Sequence, residues 1–224
     1  MGGKTSKFQI FWRTTAPSKL ELKMVEAMRK KATSGGSTLK SFNSIIMKFP
    51  KIDESFENVR DVFQKFDKDS SGTIDLEELK ECFRELQVSF TDEEITELHQ
   101  ICDMDESKGI EFKEFIVLLC LVYILWEPTD PNSKSRIGLP HLEATFDSII
   151  DAFRFFDKDG DGYVSKKEIL QALNQASPGG RAADQIGIKR FEEMDFDKNG
   201  MISFKEFLFA FTHWVGVEVD DDDE

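Results

Sequence analysis

The chain has 224 residues, of which 40% are hydrophobic and 12% aromatic, enough for one large domain or two small ones with a sizeable core. A formal net charge of −14 excludes general affinity for nucleic acid. Cys82, Cys102 and Cys120 are as scattered as His99, His141 and His213, so there is neither a zinc cluster nor a disulfide framework, which fits a reducing, intracellular compartment.

The charge is unevenly placed. Residues 1–51 carry eleven of the 29 basic residues and two of the 43 acidic ones, which gives that arm +9 and the remainder −23. Such an imbalance points to a membrane or an acidic partner for the arm. The chain opens Met1–Ser6 as M-G-G-K-T-S, the pattern for acylation of Gly2 after Met1 is removed. An ordinary unmodified terminus is the other reading. Lys4, Lys7 and Arg13 supply the second, electrostatic signal that a single acyl chain needs to hold at a membrane.

Ser18–Glu21 reads as a capping box opening a helix to about Lys31, with Leu20, Met24, Ala27 and Met28 as its apolar stripe. A second helix is expected over Thr38–Lys48, stopped by Pro50. Both are basic and amphipathic, and either pack on the fold or dock in a groove of the protein itself.

From residue 52 the chain is organised by repeats. A helix over about Glu54–Phe66 enters Asp67–Glu78, D-K-D-S-S-G-T-I-D-L-E-E. Asp67, Asp69, Ser71, the Thr73 carbonyl, Asp75 and Glu78 place oxygens at positions 1, 3, 5, 7, 9 and 12, with Gly72 at position 6. A hard cation such as Ca²⁺ takes six to eight oxygens in a flexible cage, and this spacing supplies them. Thr91–Glu94 opens a further helix, which leads to Asp103–Glu114, D-M-D-E-S-K-G-I-E-F-K-E. Here Lys108 stands at position 6 and Gly109 at position 7, so metal binding is expected to be weak at best; the alternative is a loop kept to pair with its neighbour through Ile74 and Ile110. The apolar run Phe115–Trp126 that follows is too short to span a bilayer and reads as a buried helix.

Glu127–Pro140 holds three prolines and reads as a linker. The second half then repeats the first. In Asp157–Glu168 the oxygens come from Asp157, Asp159, Asp161, Tyr163 (carbonyl), Ser165 and Glu168. In Asp195–Glu206 they come from Asp195, Asp197, Asn199, Met201 (carbonyl), Ser203 and Glu206. Because loop three has a sound partner and loop one a flawed one, the C-terminal pair is expected to hold the ion more firmly. The tail Asp220–Glu224 reads as a solvated acidic end. The division expected is an arm over 1–51, a first lobe over 52–127, a linker over 128–140, a second lobe over 141–216 and a tail over 217–224.

Four helix–loop–helix units in two pairs resemble the EF-hand superfamily. Within it, the M-G-G-K start and the segments Ser41–Pro50, Glu114–Tyr123 and Phe204–Gly216 resemble plant calmodulin-like calcium-binding proteins. The resemblance implies an all-α fold of two EF-hand pairs with short β-bridges between paired loops, preceded here by two extra helices. It also implies Ca²⁺ as cofactor and a sensor without catalytic activity. The leading expectation is that Ca²⁺ exposes an apolar groove for a helix of a target protein, with the basic arm, once acylated, holding the complex at the cytoplasmic face of a membrane. A Ca²⁺ buffer and an obligate subunit like the B subunit of calcineurin are the alternatives.

Overall fold

The computed structural model describes residues 17–33, 49–127, 135–176 and 181–214. Helix α1 covers Lys19–Thr33. Its capping box forms as expected: the Glu21 N–H donates to Ser18 Oγ at 3.1 Å, and the Ser18 N–H donates to Glu21 Oε2 at 2.8 Å. Leu20, Met24 and Met28, spaced by four, lie on one buried face. Helix α2 runs Phe49–Phe66, and so begins well before Glu54. Pro50 lies in its first turn, where a missing N–H leaves no bond unmade, so it opens this helix. The acylation pattern, the expected helix over Thr38–Lys48 and the acidic tail fall outside the described residues.

The first half continues with α3 (Leu76–Glu85), α4 (Asp92–Cys102) and α5 (Phe112–Leu125). The second half is α6 (Pro140–Phe156), β1 (Tyr163–Ser165), α7 (Lys166–Ala176), α8 (Arg181–Met194), β2 (Met201–Ser203) and α9 (Phe204–Trp214). The loops pair as the pattern requires. Ile74 and Ile110 exchange two backbone hydrogen bonds of 2.9 Å, and β1 runs antiparallel to β2 with Val164 opposite Ile202. These four β-branched residues are essentially sealed from solvent, at 0–1% exposure.

Each half is centred on the same ring cluster. Phe63, four residues before loop one, meets Phe112 at 5.6 Å and Phe115 at 5.5 Å. Phe153, four residues before loop three, meets Phe204 at 5.2 Å and Phe207 at 5.4 Å. The near-perpendicular geometry is the one aromatic quadrupoles favour. The sequence repeat thus becomes a repeat in packing.

The two halves share one core. Every residue of α5 from Glu114 to Ile124 is buried. A helix apolar on all sides needs cover on all sides, and α1, α2, α4, α6 and α9 supply it. Tyr123 ties α5 to α6, donating its hydroxyl proton to Asp147 Oδ1 at 2.9 Å. The end of the Pro-rich segment is built into this junction, with Ile137 and Leu139 buried and Arg136 Nε donating to the Trp126 carbonyl at 2.6 Å. The three cysteines are free and buried, and burial raises each thiol pKa well above its ordinary value. No described helix is long and apolar enough to cross a membrane.

Candidate metal centres

Each twelve-residue loop folds around its own first aspartate. In loop one Asp67 Oδ1 accepts from the Ser71 N–H and Oδ2 from the Gly72 N–H, both at 2.9 Å. In loop three Asp157 accepts from Asp161 and Gly162, both at 3.1 Å. In loop four Asp195 accepts from Asn199 at 3.1 Å and Gly200 at 3.0 Å. These bonds turn the chain so that the carboxylates at positions 1 and 3 converge. Gly72, Gly162 and Gly200 take φ of 83°, 85° and 85°, the left-handed conformation that a Cβ resists.

The closing glutamate is tethered from both ends of its loop. Glu78 accepts from the Lys68 and Asp75 amides at 2.9 and 3.0 Å. Glu168 accepts from Lys158 and Ser165 at 2.7 and 2.8 Å, and Glu206 from Phe196 and Ser203 at 3.1 and 2.8 Å. Carboxylates 1, 3 and 12 offer oxygens within 4.8 Å of one another in every loop: Asp67, Asp69 and Glu78; Asp157, Asp159 and Glu168; Asp195, Asp197 and Glu206. Asp75 also caps α3, accepting from Glu77 and Glu78 at 2.8 Å. Thr73, Tyr163 and Met201 stand at position 7, where the backbone turns into the paired segment.

Loop two holds a lysine at its turn, as its sequence spacing requires. Its glycine is not at the turn, yet the turn is intact. Lys108 takes φ of 75°, and its N–H donates to Asp103 Oδ2 at 3.0 Å, as the glycines do elsewhere. Ser107 donates to Asp103 Oδ1 at 2.9 Å, and Glu114 accepts from Met104 and Glu111 at 2.7 and 2.9 Å. Asp103, Asp105 and Glu114 converge like the other three sets. Gly109 serves a different end: a Cβ there would stand 2.5 Å from Thr73 Oγ1 and 2.6 Å from Thr73 Cβ. Position 7 of loop two is therefore glycine because loop one leans on it. The K-G pair carried that signal, but it reads as a misplaced turn glycine until the loops are paired.

The electrostatics of the cages fit a cation. Burial pushes the Glu114 carboxyl up to about 7 and Asp157 up to about 6. Burial likewise raises Asp103, Asp195 and Glu206. Burial works upward on Glu168 too, but hydrogen bonds from Ser165, Lys158 and Asp159 outweigh it, and its carboxyl lies below the ordinary value. Crowded, partly buried oxygens with no sulfur or nitrogen donor among them suit a hard, flexible-coordination cation, and Ca²⁺ fits this donor set.

An EF-hand domain-pair model matches residues 56–119 and 146–212. The chain belongs to the EF-hand family. It is 50% identical over 220 residues to the probable calcium-binding protein CML21 of Arabidopsis thaliana, covering 97% of this chain and 94% of that protein. It is 48% identical over 209 residues to the probable calcium-binding protein CML22 of the same plant, covering 92% and 90%. It is also 32% identical over 155 residues to calcium-dependent protein kinase 33 of Arabidopsis thaliana; this spans 69% of the chain but only 26% of the kinase.

Proposed function

We propose that this EF-hand protein is a non-enzymatic intracellular Ca²⁺ sensor that uncovers an apolar surface for a target protein. The carrying observation is α5, sealed on all sides at the meeting point of both halves. A bound Ca²⁺ supplies charge that the converging carboxylates of each loop neutralise, and in sensor hands this reorients the flanking helices. Here each loop is joined directly to the helices that bury α5. Movement of α2, α4 or α9 opens the cover.

The proposed ligands are Asp67, Asp69, Ser71, Thr73, Asp75 and Glu78 in loop one, Asp157, Asp159, Asp161, Tyr163, Ser165 and Glu168 in loop three, and Asp195, Asp197, Asn199, Met201, Ser203 and Glu206 in loop four. Loop two joins them as the weakest site, because its carboxylates converge like the others but a lysine stands at the turn where the others have glycine. Calorimetric titration is expected to count four ions; three would mean that Lys108 abolishes the site.

A buffer binds ions without opening. An apolar dye separates the two readings: its fluorescence is expected to rise when Ca²⁺ is added, and no rise would favour the buffer. The obligate-subunit reading draws no support from the surface, since Leu22 is the one large hydrophobic side chain exposed among the described residues. For the basic arm we propose acylation at Gly2 and residence at the cytoplasmic face of a membrane, supported by Lys4, Lys7 and Arg13. Flotation of acylated protein with anionic vesicles, against a Gly2→Ala variant, tests it.

A further inference from the structure

We infer that α1 is an internal ligand of the surface proposed above, and that metal loop three is part of its seat, so filling of loop three and docking of α1 oppose each other. This rests on the sensor reading and names the partner and the regulation of that same surface.

The seat spans three of the four hands. Leu20, Met24 and Met28 are 1%, 4% and 0% exposed, and α1 packs against α4, α5 and α9. Around this apolar strip the polar contacts form a perimeter. Lys23 pairs with Glu94, and the Leu20 N–H donates to Glu97 Oε1 at 3.2 Å, both on α4. Lys205 of α9 lies 2.9 Å from Glu21, the same carboxylate that caps α1. Burial works to raise the Glu21 carboxyl, but Lys205 and Ser18 outweigh it and hold it below its ordinary value. Lys31 lies 3.7 Å from Asp147 on α6.

Loop three closes the perimeter. Arg29 Nε donates to the Asp161 carbonyl at 2.8 Å. A Cβ on Gly162 would lie 3.0 Å from Val25 Cγ1 and 3.1 Å from the Val25 carbonyl, and a Cβ on Gly160 would lie 3.2 Å from Ala32. Gly72 and Gly200, at the equivalent position of loops one and four, have nothing within 4 Å. Of these three loops, only loop three is pressed against another element at its turn.

The sign of the coupling follows from charge. Helix α1 holds five Lys/Arg and two Glu, a net of +3. It lies on a loop whose converging Asp157, Asp159 and Glu168 must also attract a dication. Two cationic bodies drawing on one acidic field weaken each other, and linkage makes the effect reciprocal. Departure of α1 uncovers α5. The helix able to replace it has the chemistry of α1: three apolar residues spaced by four, and cations facing Glu94, Asp147 and loop three.

The test uses the full-length chain. The amide resonances of Gly162 and Gly72 are followed during Ca²⁺ titration in wild type, Arg29→Gln, Lys30→Gln and the double variant Met24→Asp/Met28→Asp. Arg29→Gln keeps the apolar contacts and is expected to tighten the Gly162 response measurably. The double variant unseats α1 and is expected to tighten it by about fivefold or more. Gly72 is expected to change little, and Lys30→Gln to shift Gly162 less than Arg29→Gln does, since only Arg29 touches loop three directly. An unchanged or weakened Gly162 response in Arg29→Gln overturns the coupling, as does an equal shift at Gly72 or with Lys30→Gln. Dye fluorescence on the same samples separates the two claims. A Ca²⁺-dependent rise with no Gly162 shift keeps the sensor and sinks the coupling; a Gly162 shift with no rise does the reverse.

Discussion

Loops one and three open the two halves of the molecule with the same chemistry, yet their surroundings differ. Asp67 and Asp157 organise their turns through the same pair of amides, and Gly72 and Gly162 share one backbone conformation. Beyond Gly72 nothing stands within 4 Å, while Gly162 faces Val25 of α1. Loop one instead presses sideways on its partner through Thr73 and Gly109. The hands repeat because cation binding is local. What differs is the burden placed on each loop from outside. The expectation that the C-terminal pair binds more firmly follows from loop chemistry alone, and the cations of α1 work against it at loop three.

The largest predicted effect breaks the first half. Gly109→Ala drives a methyl group into Thr73, and overpacking of this kind costs about 1–3 kcal/mol. The melting temperature should fall by roughly 2–4 °C per kcal/mol for a chain of this size. Thr73→Gly in the same chain should recover most of the loss. If a double-mutant cycle shows simple additivity, the contact is not what fixes glycine at this position.

A second effect concerns pH in the metal-free chain. Glu114, held at about 7, and Asp157, at about 6, lie above the ordinary values of 4.5 and 3.8. The folded state therefore binds protons more tightly than the unfolded one. The stability this contributes is fully present below about pH 4, and is lost as pH rises through about 6 at Asp157 and about 7 at Glu114. Melts in chelator should show the chain on the order of 1–3 kcal/mol less stable at pH 8 than at pH 5. Glu114→Gln should remove Glu114's own share and leave those of Asp157 and of Asp103, which burial also raises. A flat profile in wild type would contradict the burial argument.

The smallest effect sharpens the comparison within the first pair. Lys108→Gly relieves a left-handed side chain but adds freedom to the unfolded chain, for a net gain of about 0.5–1 kcal/mol. Removal of the cation should also tighten loop two while leaving loops three and four unchanged, as read by site-resolved titration. Tightening across all four loops would point to a general charge effect.

Much of this was legible in the residues. The acidic positions 1, 3 and 12 of the loops, the capping boxes at Ser18 and Thr91 and the burial of Phe115–Ile124 are local or periodic signals, and each appears in the fold. Pro50 was ambiguous because proline both ends one helix and begins another, and only the backbone around it decides. Gly109 was unreadable alone, since its reason lies 36 residues away in Thr73. The seat of α1 was hidden for the same cause. Its apolar stripe announces that it packs, but nothing in Leu20, Met24 or Met28 says that loop three lies beneath.

The sealed cysteines give the molecule a clock. Cys120 sits in the middle of α5, fully enclosed, within the influence of Lys31 and Asp147 on the helices that cover it. A thiol reagent reaches it only while that cover is open. Its labelling rate therefore times each opening, with no probe added to the chain. Cys82 and Cys102, enclosed in the first half, serve as the reference against which an opening confined to the α1 seat is told from loosening of that half as a whole.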